Sequence, residues 1–103
     1  MLILLAFFIG TFLVTGLSAQ IHFDSGATRS FVSLALSKKF CNAPRTLDSS
    51  LEVEIADDRT VSAARVYRRS VLNMFEERFP IDLVPTPLQG LRVIIVMDWL
   101  WPN

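Results

Sequence analysis

The sequence predicts an all-β, barrel-like domain with one or two brief helices. Three observations carry that expectation: apolar and polar side chains alternate over several short stretches, turn-forming residues separate those stretches, and helical spacing is confined to short segments. With 103 residues there is room for one domain, near the smallest size that builds a core without disulfides or metal.

The N-terminal MLILLAFFIGTFLVTGLSAQ has no charged side chain, and three readings fit parts of it. A secretory signal would use the apolar run and the small Gly16, Ser18 and Ala19. Against it, no Lys or Arg precedes the run, and Leu17 is large for a cleavage site. A transmembrane helix needs about twenty apolar residues, which the stretch barely reaches. A strand over Thr11 to Val14, closed by a Thr15-Gly16 turn before a second strand from Ala19 to Phe23, uses the β-formers as they stand.

In that second strand Ile21 and Phe23 face one side, Gln20 and His22 face the other, and Asp24 arrives at the end. Ser30 to Phe40 takes helical spacing through Phe31, Leu34 and Ala35, with Ser30 as the N-cap. Residues 42–50, with Pro44, Asp48 and two serines, read as a loop. Leu51, Val53 and Ile55 then alternate with Glu52 and Glu54, and Val61, Ala63, Arg65 and Tyr67 follow a polar Asp57-Asp58-Arg59 tip: a hairpin. Val71 to Phe75 and Phe79 to Val84 give two more strands around the charged turn Glu76-Glu77-Arg78. Leu91 to Val96 is apolar enough for a strand buried on both faces, and Met97 to Trp101 reads as a helical turn cut short by Pro102.

Charge and composition exclude several functions. Ten basic and ten acidic residues cancel, so no broad field draws the chain to a phosphate backbone. The single cysteine, Cys41, rules out an intramolecular disulfide and leaves too few ligands for a Cys/His zinc site. No phosphate-binding glycine loop or serine-hydrolase elbow occurs, and Asp57-Asp58 lack the spaced donors of a calcium loop. His22 has no nucleophile beside it in sequence and reads as a strand residue. Asp24-Ser25-Gly26 alone reads as a turn.

In context it reads differently. The segment IHFDSGATRSFVS, together with FPIDLVPTPLQGLRVIIVMDWL near the C-terminus, closely resembles the retropepsin-like aspartic protease domain of gypsy-type LTR retrotransposon polyproteins. The two blocks stand in the family's order with alternating strands between them. The resemblance runs from Gly10, where GTFLVTG matches the family's first strand and turn, to Asn103. It favours strand for Thr11 to Val14, leaves residues 1–9 as a divergent apolar segment, and makes residues 10–103 the protease domain, shortened at its C-terminus.

The resemblance implies half of a closed-barrel acid protease. With one Asp-Ser-Gly per chain, an active site needs a homodimer in which Asp24 meets its symmetry mate. Ser25, Gly26, Ala27 and Thr28 form the active-site loop, with Ser25 bonding across the dimer. Ala56, Asp57, Asp58, Arg59 and Thr60 form the flap over a peptide or polyprotein substrate. Val96, Met97 and Asp98 form the structural loop behind the site. Val96 stands where the family usually has Gly, Asp58 where Gly is common at the flap tip, and Arg69 and Glu77 where relatives often have Gly. No cofactor or metal is implied, nor direct binding to nucleic acid or membrane. The implied location is cytoplasmic, in a retrotransposon particle, with secretion or membrane targeting as the alternative if residues 1–19 act as a signal. The alternative function is an inactive remnant or a dimerisation and peptide-binding module.

Overall fold

The computed structural model describes residues 2–3, 7–24, 29–54 and 60–96. They form β1 (Leu2–Ile3), β2 (Phe7–Val14), β3 (Leu17–Asp24), β4 (Ser30–Ser33), α1 (Leu34–Ser37), β5 (Arg45–Glu54), β6 (Thr60–Met74), β7 (Glu77–Thr86) and β8 (Arg92–Val96). The strands lie in the order β1-β5-β6-β2-β3-β8-β4-β7, and a β6–β7 pairing closes the ring from β6 round to β7. The all-β, closed-barrel expectation therefore holds. The long β6 makes closure possible, because its first half pairs with β5 and its second half with β7 and β2.

Alternation sorts side chains into two cores. Ile21, Val32, Leu83, Val93 and Ile95 belong to one cluster with Val14, Leu36 and Leu72. Their sequence neighbours Phe31, Val84 and Ile94 point the other way, joining Val53, Ala63 and Val66 in the second. β8 is buried on both faces, as the apolar run from Val93 to Val96 predicts, with Val93, Ile94 and Ile95 each at most 2% exposed.

Several boundaries differ from the sequence reading. The apolar N-terminus forms more strand than expected: β2 starts at Phe7 and pairs with β3 from Phe7↔Phe23 onward, while Leu2 and Ile3 pair with Val53 and Glu54. A bulge between Phe8 and Gly10 interrupts β2, and at Gly10 (φ +153°) a Cβ would sit 3.0 Å from the Phe12 ring. Ser30 does not cap a helix. Residues 30–33 are strand because Phe31 and Val32 fill different cores, and only an extended backbone sends adjacent side chains to opposite faces. The helix shrinks to α1, capped by Ser33 Oγ, which accepts from the Leu36 N–H at 3.2 Å.

Most of the expected loop at 42–50 is strand. Asp48, Ser49 and Ser50 are exposed, so their polarity marks a solvent-facing stretch of β5, whose pairing with β6 shifts register between Thr46 and Leu51. Two separate strands expected at 61–67 and 71–75 are one strand, β6. The β6–β7 turn is Phe75-Glu76 (φ +53° and +64°), one or two residues earlier than the charged triplet, because Met74 pairs with Glu77. The Thr15-Gly16 turn falls where expected. The expected helical turn at 97–101 lies outside the described residues.

Candidate active site

Asp24 ends β3, 2% exposed. β3 runs parallel to β8, with Asp24 opposite Val96 and His22 opposite Ile94. β4 flanks β8 on its other side, antiparallel, with Phe31 opposite Ile94. The chain thus leaves β3 at Asp24 and returns as β4 beyond β8, so the end of β8 is held between the two arms.

Two serine hydroxyls fasten this arrangement. Ser30 Oγ accepts from the Val96 N–H at 3.3 Å, and Ser33 Oγ accepts from the Arg92 N–H at 3.2 Å, one bond near each end of β8. Neither role was legible in the sequence, where SFVS read as the start of a helix. The available signal was a serine on each side of an adjacent Phe-Val pair.

Val96 sits in extended backbone, half-buried, against the second core cluster. Its φ is not positive, so the conformation that would demand glycine is absent at this position. Beside it opens a concave surface of about 360 Å³ whose lining includes Arg29, Ser30, Ile81, Val84 and Val96. Of the flap residues, Thr60 is described: it begins β6, exposed, opposite Glu54. Below it Ser62 Oγ donates to Glu52 Oε1 at 3.1 Å across the hairpin. Ser25, Gly26, Ala27, Thr28, Ala56, Asp57, Asp58, Arg59, Met97 and Asp98 lie outside the described residues.

His22 shares a β3 face with Asp24. It is buried, its ring lies 5.3 Å from that of Phe8, and its Nδ1 has no hydrogen-bond partner. Burial lowers its pKa below the ordinary 6.5; the Arg92 charge lowers it further, and a hydrogen bond with the Gln20 backbone opposes both. No cluster of His, Cys, Asp and Glu suited to a metal ion occurs among the described residues. Among them, too, no helix is long and apolar enough to cross a membrane.

The barrel therefore ends β3 in a buried aspartate beside β8, a strand paired on both sides. The chain is similar in fold to the EIAV protease complexed with the inhibitor HBY-793, with a TM-score of 0.66 at 12% identity, covering 88% of this chain and 82% of that one. Residues 6–103 match the family model for retroviral aspartyl proteases, and the chain belongs to that family. No curated protein sequence matches it significantly.

Proposed function

We propose that this chain is an aspartic endopeptidase that works as a homodimer and processes the polyprotein of a gypsy-type LTR retrotransposon, within the cytoplasmic particle. The observation that carries the reading is Asp24, buried at the end of β3 and paired in register with Val96. Membership of the family supports the chemistry, and the single Asp-Ser-Gly supports the dimer.

In the dimer two Asp24 carboxylates face each other. Like charges that close resist double ionisation, so the pair holds one proton, as aspartic-protease dyads do generally. The ionised carboxylate takes a proton from a water as that water attacks the scissile carbonyl carbon, and the protonated one donates to the carbonyl oxygen. Ser25 bonds across the dimer, Gly26 brings its backbone amide near the carboxylate, and Ala27 and Thr28 complete the loop. The hairpin carrying Ala56, Asp57, Asp58, Arg59 and Thr60 closes over an extended peptide and adds backbone hydrogen bonds to it. Met97 and Asp98 continue the segment behind the site.

The test is cleavage of a mixed peptide library by the 103-residue chain and by Asp24→Asn, at about pH 5 and about pH 7, with an aspartic-protease inhibitor as a second control. Cleavage by the parent that the substitution abolishes and the inhibitor blocks is the expected result. A folded dimer that cleaves nothing would refute the catalytic reading and leave a dimerisation or peptide-binding module.

A further inference from the structure

Arg45, Arg68 and Arg69 line one concave pocket of about 440 Å³, closed on another side by Asn42 and Ala43. All three arginines are exposed, and none has an ion-pair partner among the described residues. In a chain of zero net charge, three arginines lining one hollow are a local concentration of positive charge.

The backbone beneath them is distorted in a way that places one of the three. The β6–β7 pairing shifts register between Tyr67 and Ser70, so Arg68 and Arg69 occupy a bulge. Arg69 sits at φ +56°, in the left-handed region that disfavours a residue with a Cβ. Its amide donates to Asp82 Oδ1 at 2.9 Å, which helps hold that conformation. Glycine would adopt the same backbone without strain. An arginine there lowers stability while adding a third basic residue to the lining that Arg45 and Arg68 share.

We infer that the hollow between Arg45, Arg68 and Arg69 is a binding site for a small polyphosphate. Guanidinium forks match phosphate oxygens two at a time, and three of them outnumber the Asp82 carboxylate that accepts from the Arg69 amide. The pocket is compact, which fits a short cluster of phosphates better than the extended track a polynucleotide backbone requires.

The experiment titrates sodium tripolyphosphate into the full chain by calorimetry at about 0.15 M salt, using the parent, Arg69→Gly, Arg45→Gln and Arg68→Gln, and records ligand-free thermal melts of each. The parent binds. Each variant binds roughly tenfold more weakly, the loss of one charged hydrogen-bonding group. Arg69→Gly alone also melts higher, by a few degrees, because it removes the strain together with the guanidinium. That opposite movement of affinity and stability separates a lost ligand group from damage to the fold. The inference is overturned if the parent does not bind tripolyphosphate, or if Arg69→Gly binds it as tightly as the parent. It is equally overturned if a single-stranded oligonucleotide binds more tightly, with a salt dependence steeper than about three phosphate contacts produce.

Discussion

Ser33→Ala tests the fastening of β4 to β8 where it is most exposed to measurement. Ser33 is fully buried and its Oγ accepts two N–H donors, from Leu36 in α1 and from Arg92 at the start of β8, both at 3.2 Å. Losing an N-cap oxygen costs about 1 kcal/mol. The Arg92 N–H then also loses its acceptor, and the space left by a hydroxyl is too small to admit water, which adds about another 1 kcal/mol. Both bonds lie at the long end of the normal range, so neither contribution is raised above these figures and the sum is about 2 kcal/mol. For a domain of this size that lowers the melting midpoint by roughly 8 °C or more. Ser37→Ala is the matched control: Ser37 Oγ donates to the Leu34 carbonyl at 2.9 Å, but that carbonyl also accepts from the Lys38 N–H at 3.1 Å. Its removal therefore orphans nothing and costs under about 1 kcal/mol. The assay is urea denaturation of both variants followed by circular dichroism. A Ser33→Ala loss no larger than that of Ser37→Ala would refute the double role of the hydroxyl.

Three further predictions concern the barrel around the site. Because the folded pKa of His22 lies below 6.5, the unfolded chain binds the proton more readily; stability is complete above about pH 6.5 and falls as pH drops through that value toward the folded pKa. Denaturant midpoints measured across this range should decline on the acid side in the parent and decline less in His22→Phe; equal slopes would reject the assignment to His22. Glu76→Gly relieves a left-handed residue in the β6–β7 turn and should stabilise by about 0.5–1 kcal/mol in a thermal melt, whereas a loss would mean that Glu76 makes a compensating contact. Val96→Gly removes a half-buried β-branched side chain from extended backbone and should destabilise by about 1–2 kcal/mol in urea; a gain would show that valine is strained there.

The parts of the fold legible in the sequence are those where local chemistry and tertiary context agree. Thr15-Gly16 carries its turn in its own residues, and Val93 to Val96 announces double burial by being apolar at every position. The errors arose where context overrode local pattern. Phe31 and Leu34 have helical spacing, yet Phe31 and Val32 serve opposite cores, a fact invisible until β8 is placed between β3 and β4. The Phe75-Glu76 turn contains neither Gly nor Asn, so the usual marker of a two-residue hairpin was missing and the charged triplet drew the boundary instead. Asp24 was legible as the end of its strand, but the hydroxyls of Ser30 and Ser33 that fasten the neighbouring strands bond to residues 66 and 59 positions away.

Under the proposed chemistry the site faces two opposing demands. A dyad that must hold one proton works best where acid keeps that proton in place, and the pairing of two carboxylates favours this. His22 pulls the other way: it lies on the same face of β3, two residues before Asp24, buried without a partner for Nδ1 and near the positive Arg92. Among the groups facing it, Arg92 on β8 raises the cost of protonation, Phe8 on β2 offers no charge, and Asp24 shares its own strand. Acid that favours the dyad therefore charges a buried imidazole within the strand that presents the dyad. Loss of cleavage at low pH would then come from loosening of β3 against β2 and β8, not from a change in the carboxylates themselves. The distinction is measurable, since His22→Phe should extend cleavage toward lower pH without altering the rate near neutrality.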